Sequence, residues 1–423
     1  MKLLMQRKGV RLFIFLVFVL SFYQRCTLAN KSIHKDSTSK KILFCIWNSS
    51  AALNKKGEKL SSDARRMRGS SVYKMNLFKH IVHAGVPAVA LVINDTELER
   101  DLKQQGYACY GCRVAEKKWA MLTATIKDIC KKEKIDIVHC HGSTEMLHAI
   151  YAAREYPVKI VRTLHTDTQL YEAALRNVDG VMCVSPQSEA LFKKINKEKH
   201  LDMKHIMWTA PFFDEQRFMS FIPTLDKNTF FKETFGIALK DCPMICCVSN
   251  FYPGFKNHKV LLKAIAQLLF VHHISAQLVL AGDGPRFEEM KALAQSLGIQ
   301  DYVYFLGQTD KTPEIYYYSD VNALTSNSEA FGIVLLEGSL LKKPMIGTAG
   351  TGMEAVVKDS KTGFLFKKND VNDLVRQLKK IIVDRSLAEM LGQNAYTYVM
   401  DNYVSAVTIQ KLKAFYVDVL SGK

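Results

Sequence analysis

Tryptophan (3 residues) and proline (10) are scarce in this 423-residue sequence, which has no internal repeat and no low-complexity tract. With 48% hydrophobic and 23% charged residues the composition is that of globular domains, and disordered, collagen-like and disulfide-scaffold classes are excluded. Acidic side chains are in short supply, 41 against 58 Lys+Arg, for a formal charge of +17. The shortage is uneven: residues 1–210 carry +16 and residues 211–423 only +1, as expected of two domains with different partners. The ten cysteines form no extracellular framework. Cys45, Cys140, Cys183, Cys246 and Cys247 lie in apolar, strand-like runs, where free cysteine acts as a small hydrophobe. Cys109-Tyr-Gly-Cys112 has no second pair to complete a zinc site, so it reads as a loop without redox or metal role.

Also missing is a run long enough for a comfortable membrane span: the apolar stretch Leu12–Tyr23 has twelve residues. Basic residues (Lys2, Arg7, Lys8, Arg11) precede it and Thr27-Leu28-Ala29 follows, the layout of a secretory signal cut after Ala29. Lys31, Lys35, Lys40 and Lys41 place positive charge on the other side as well. A cleaved signal, a shallow membrane anchor and an early start codon are all compatible with residues 1–40, which are set apart from the fold.

From Lys41 onward, strand-like and helix-like segments alternate, the signature of parallel α/β architecture. Strands are expected at 42–47, 86–93, 135–141, 159–164 and 180–184, then at 244–249, 277–281, 303–306, 321–325 and 345–347. Helices are expected at 71–84, 144–154, 258–271, 286–297, 312–319 and 331–341, with a helical tail from Asn369 to Leu420. A polar stretch, Asp214–Thr229, reads as a linker. Two doubly wound domains follow, 41–215 and 230–400, with ligands expected outside the carboxyl ends of the strands.

The most specific run is Ser328-Glu329-Ala330-Phe331-Gly332-Ile333-Val334-Leu335-Leu336-Glu337. Glu329 stands before an expected helix and Glu337 two turns inside it, an axial separation of about 12 Å. The first N–H groups between them, of Phe331, Gly332 and Ile333, suit a phosphate, and carboxylates suit paired sugar hydroxyls. The run is therefore compatible with a sugar–diphosphate–ribose ligand, and equally with a helix cap followed by a solvated glutamate.

The order Leu278-Val-Leu-Ala-Gly-Asp-Gly-Pro285, Phe305-Leu-Gly-Gln308, Glu329-x7-Glu337, Pro344, Gly350, Glu354 and Thr362-Gly-Phe-Leu365 resembles the retaining GT-B glycosyltransferases of family 4. Asp136-Ile-Val-His-Cys-His141, Thr163-Leu-His165 and Val184-Ser185 extend the resemblance toward the N-terminus. It implies two Rossmann-like domains facing across a cleft, with the C-terminal helix, 403–420, returning to the first. It also implies a catalytic set of His165, Glu329 and Lys256, the lysine neutralising the donor diphosphate. Glu337 would hold the ribose, with Phe331, Gly332, Ile333, Asn250 and Gly282 completing the donor site. Gly69, Ser70 and His141 would lie on the acceptor side. Neither a metal nor a cofactor is implied; the co-substrate is a nucleotide-diphosphate sugar of UDP or GDP type. His139 reads as a core histidine.

Some positions depart from the family pattern: Asn250 replaces an arginine, Ser70 and Thr351 replace glycines, and Lys342 stands where glycine is usual. The expected activity is sugar transfer with retention to a hydroxyl of a cell-envelope lipid or glycan, as in polysaccharide biosynthesis. A non-catalytic sugar-nucleotide or glycan binder and a nucleotide-sugar epimerase are the alternatives. Nucleic acid is not an expected partner, because the basic loop Lys55–Arg68 has no interleaved aromatics. The clusters Lys55–Arg68, Lys131–Lys134 and Lys193–Lys199 instead suit a surface for anionic lipids or for an anionic glycan acceptor. The expected location is the cytosolic face of a membrane, with export through a signal cleaved at Ala29 as the alternative.

Overall fold

The computed structural model describes residues 40–47, 69–114, 119–165 and 172–422. The signal-like segment up to residue 39 and the basic loop Lys55–Arg68 lie outside the described residues.

The first sheet contains β1 (Ile42–Trp47), β2 (Ala88–Ile93), β3 (Cys109–Cys112), β4 (Ile137–Cys140), β5 (Lys159–Leu164), β6 (Gly180–Cys183) and β7 (His205–Trp208). All pairings are parallel, in the order β3-β2-β1-β4-β5-β6-β7. The second sheet contains β8 (Met244–Val248), β9 (Gln277–Ala281), β10 (Val303–Gly307), β11 (Val321–Leu324), β12 (Met345–Thr348) and β13 (Gly363–Phe366). It is also parallel, in the order β10-β9-β8-β11-β12-β13.

Continuous apolar strands arise because helices cover both faces of each sheet. Along β1, Leu43 and Cys45 enter one core while Ile42, Phe44 and Ile46 enter the other. In β8, Ile245 and Cys247 alternate in the same way with Met244 and Cys246. Burying one such aliphatic side chain stabilises the fold by about 1.5–3 kcal/mol.

Caps set the helix boundaries. Ser185 forms a capping box with Ser188 and is followed by Pro186 at the first helical position of Pro186–Glu198. In the helical tail, Asp384 ends Val371–Val383 and accepts from the Leu387 N–H at 2.9 Å to start Arg385–Asn402. The tail is therefore three helices, of which the last, Ser405–Ser421, lies on the first sheet. Its Ile409, Leu412, Phe415, Tyr416 and Val419 share a core with Ile42 and Phe44.

Three expectations change. Cys109-Tyr-Gly-Cys112 is the edge strand β3, not a loop, and its register with Ala90–Ile93 sends Cys109 and Cys112 into different cores. Residues three apart on a strand face opposite sides, so the two thiols do not act together. The Asp214–Thr229 stretch is not a bare linker: it holds the helix Glu215–Met219 and the start of Lys227–Phe235, capped by Asp214 and Asp226. The helix expected at 331–341 is Ile333–Leu340.

Candidate active site

The carboxyl ends of both sheets open on one cleft of about 480 Å³. Tyr73, His165, Val184 and Pro211 line it from the first half of the chain. Asn250, Lys256, Gly282, Glu329, Phe331, Gly332 and Ile333 are among those lining it from the second.

On the second-domain side the geometry follows from two glycines. Gly282 has φ +144°, and a Cβ there would sit 2.2 Å from the Ser249 carbonyl oxygen, so only glycine lets the β8 and β9 loops meet. Gly332, at φ +97°, caps the helix Ile333–Leu340, whose first residues, Ile333 and Val334, line the cleft. The helix therefore starts two residues later than expected. Phe331 precedes it, with a buried ring set edge-on to Tyr403 at 5.3 Å. Glu337 accordingly lies only four residues beyond the first helical residue, an axial rise of about 6 Å.

Lys256 and Glu329, both half-buried, form an ion pair at the cleft wall. Beyond the lining residues, Glu337 is half-buried against Tyr316, whose hydroxyl donates to its Oε2 at 3.0 Å. Burial pushes the Glu337 carboxyl up to about 7, while the Tyr316 hydroxyl and Arg217 pull the other way. This carboxyl is short of solvent and of hydrogen-bond donors, a state that a ligand bearing hydroxyls would relieve.

On the other side, His165 follows β5 and its Nε2 hydrogen-bonds with Nδ1 of His141 at 3.1 Å. The Tyr73 ring sits edge-on to His165 at 4.8 Å. Burial drives the His165 pKa down to about 3 and holds His141 well below its ordinary value, with Lys74 and Arg162 adding to both effects. Both imidazoles are thus neutral at physiological pH. His139 is fully buried, its ring nitrogens bonded to the hydroxyls of Tyr416 and Thr163, each at 2.6 Å. Among the described residues no group of three His, Cys, Asp or Glu side chains is arranged to hold a metal.

Eight expected residues thus line one cleft: His165, Asn250, Lys256, Gly282, Glu329, Phe331, Gly332 and Ile333. Glu337 and His141 are not among the lining residues: His141 bonds to His165, which lines the cleft, and Glu337 to Tyr316, which does not. Gly69 and Ser70 open the first helix, Gly69–His83. Sequence reasoning missed Tyr73, Tyr316 and Arg217. Tyr316 stands in a Tyr-Tyr-Tyr run with no motif to mark it, and its role exists only through contact with Glu337.

Two family models match this chain: Glycosyltransferase Family 4 over residues 68–200 and Glycosyl transferases group 1 over residues 230–398, together more than half of it. The chain belongs to the family 4, group 1 glycosyltransferases. A similar protein is the N-acetyl-alpha-D-glucosaminyl L-malate synthase of Bacillus anthracis, 28% identical over 71% of this chain and 79% of that one. Another is the Escherichia coli UDP-Gal:alpha-D-GlcNAc-diphosphoundecaprenol alpha-1,3-galactosyltransferase, 24% identical over 70% and 78%. Among solved structures, a glycosyltransferase of Rickettsia africae ESF-5 superposes with a TM-score of 0.75 at 19% identity, covering 91% of this chain and 99% of that one. Anabaena HepE in complex with UDP-glucose superposes at 0.69 and 18% identity, covering 89% and 99%. The two sheets with alternating helices are the GT-B fold.

The departures of this glycosyltransferase from its family now have local accounts. Thr351 caps the short turn Gly352–Ala355, and its hydroxyl donates to the Thr348 carbonyl at 2.8 Å, which ties the side chain down. Lys342 adopts the left-handed conformation that glycine favours, φ +58°, and its ammonium lies over the Tyr396 ring at 5.5 Å. Asn250 does line the cleft, and among the described lining residues Lys256 is the one lysine or arginine.

Proposed function

We propose that this glycosyltransferase moves a sugar from a nucleoside-diphosphate sugar, of UDP or GDP type, to a hydroxyl of a cell-envelope lipid or glycan, with retention at the anomeric carbon. The observation that carries this reading is the convergence, in one cleft, of the Lys256–Glu329 pair, the Gly332-capped helix terminus and His165. The helix N–H groups and Lys256 receive the diphosphate. A fixed cation there favours the charge that grows on the leaving oxygen, a preorganised electrostatic contribution. Glu329 accepts from donor-sugar hydroxyls and Glu337 from the ribose. No side chain is placed as a nucleophile in this scheme: the acceptor hydroxyl attacks from the face of the leaving diphosphate, whose oxygen takes its proton. Neutral His165 positions the reacting sugar. The complex of Anabaena HepE with UDP-glucose and the diphosphoundecaprenol-linked acceptor in the name of the Escherichia coli relative support donor and acceptor classes of this kind.

The enzyme works at the cytosolic face of a membrane. Lys131, Lys132 and Lys134, with Lys193, Lys194 and Lys197, are exposed on the first domain and offer it a basic surface. Among the described residues no helix is long and apolar enough to cross a membrane. A second reading, a non-catalytic sugar-nucleotide binder, is favoured by Asn250, which leaves Lys256 alone against a diphosphate. The test is to incubate the full chain with UDP- and GDP-sugars, follow nucleotide release, and read the anomeric configuration of the product by NMR. Release abolished by Glu337→Ala supports the assignment. Tight nucleotide binding with no release under any acceptor would favour the binder, and an inverted product would end the retaining scheme.

A further inference from the structure

The loop between β8 and the helix His258–Phe270 carries Lys256, and the residues at its two ends meet. Ser249 follows β8 and lines the cleft beside Asn250 and Gly282. Its hydroxyl lies 2.8 Å from Nε2 of His258, the first residue of the helix. The histidine is 4% exposed, and its ring stacks on the buried Phe251 ring at 4.1 Å. Phe287 in turn packs edge-on against Phe251 at 5.2 Å. Between its ends the loop is tied to the residues that follow β11: the Asn327 N–H donates to the Phe255 carbonyl at 2.7 Å, and Thr325 Oγ1 to the Asn257 carbonyl at 3.0 Å.

Burial, with the charge of Lys256 adding to it, holds the His258 pKa down to about 4. The ring is therefore neutral at physiological pH and carries one N–H. Burial also pushes the Cys247 thiol up to about 11, and the protonated thiol donates to the same Ser249 oxygen at 3.9 Å. A hydroxyl has one hydrogen and two lone pairs. With the thiol on one lone pair and the Nε2–H of His258 on the other, the Ser249 hydrogen is left for the cleft. The charge of Lys256 acts on both Cys247 and His258, so the hydroxyl they hold stands in the field of the cation that lines the cleft.

We infer that Ser249 donates a hydrogen bond to a phosphate oxygen of the donor nucleotide, and that His258, in its Nε2–H tautomer, is the positioning residue that aims it. This rests on the donor-site reading of the cleft. Ser249 stands next to Asn250, where the family pattern has an arginine, so a neutral hydroxyl supplies part of what that cation would. A hydrogen bond to an ionised oxygen is stronger than one between neutral groups. A hydroxyl whose lone pairs are already engaged needs no reorientation when the ligand arrives. His258 is not among the lining residues and acts only through the serine.

The experiment is calorimetric titration of the full chain with UDP and with GDP, the nucleotide that binds being carried through the variants. Ser249→Ala should weaken binding about tenfold, the loss of a hydrogen bond to a charged group. His258→Phe keeps the stack on Phe251 but has no N–H, and should weaken binding about fivefold or more. His258→Gln restores a donor and should bind within about twofold of the wild type. Because the histidine acts through the serine, Ser249→Ala combined with His258→Phe should bind no worse than Ser249→Ala alone; a histidine that only held the fold would give additive losses. Ser249→Ala removes one oxygen from a half-buried position, so it tests the hydroxyl even where a change at His258 disturbs the fold. Binding unchanged by Ser249→Ala, or additive losses in the double variant, overturns the proposal. If the wild type binds a nucleotide and Ser249→Ala binds it equally, the role of the hydroxyl alone has failed; if the wild type binds neither, the donor site has failed, and the proposal with it.

Discussion

Glu337→Gln should separate what the donor site needs from what the fold prefers. The Glu337 carboxyl is raised from an ordinary 4.5 to about 7, mainly by burial. A carboxyl with a raised folded-state value contributes stability when protonated and loses it as pH rises through the window from about 4.5 to about 7. At pH 8 the wild-type protein carries nearly the whole penalty, about 3 kcal/mol at about 1.4 kcal/mol per pH unit; at pH 5 it carries about 1 kcal/mol. Glutamine has no charge to desolvate and its carbonyl can still accept from Tyr316, so the variant escapes this term. Calorimetric melting of both proteins from pH 5 to 8 should show a variant advantage that widens with pH by about 2 kcal/mol, on the order of 5 °C for a domain of this size. Comparison at each pH cancels His139 and His165, whose depressed values act with the opposite sign and destabilise the fold as pH falls below about 6.5. The same variant should bind UDP more weakly. An advantage of equal size at pH 5 and pH 8, or none, would refute the burial argument.

Other perturbations test neighbouring parts of the cleft. Gly332→Ala places a Cβ 3.2 Å from Met353 Cγ at φ +97°, so it should cost about 1–2 kcal/mol and lower UDP affinity; unchanged titration calorimetry would refute the cap's role. Lys256→Met should lower the rate of nucleotide release by about 10²–10³-fold; a change below tenfold would show that the lysine does not face the leaving group. Tyr416→Phe leaves the buried His139 Nδ1 without its 2.6 Å partner and should cost about 1–3 kcal/mol. Hydrogen exchange should localise that loss to the C-terminal helix, with UDP affinity unchanged.

The alternation of apolar runs was enough to place most strands and helices, because a parallel sheet covered on both faces demands continuous apolar strands. It failed at β3, where Cys109-Tyr-Gly-Cys112 is a short edge strand with no apolar run to announce it. It failed again at Asp214–Thr229, whose helices are held by caps and a few buried phenylalanines rather than by a periodic face. In the cleft, local motifs marked Lys256, Glu329, Gly332 and His165, since glycine conformation, helix termini and strand ends are written into short stretches of chain.

What chain order could not contain is proximity across the fold. Tyr316 meets Glu337 from another helix, and His141 meets His165 from a neighbouring strand. By itself the sequence determined two α/β units, the residue types that line one cleft and a first half rich in positive charge. Only the tertiary structure decided which charges are desolvated and which are paired. Burial is a property of packed neighbours, and it is burial that raises Glu337 and keeps the histidines neutral.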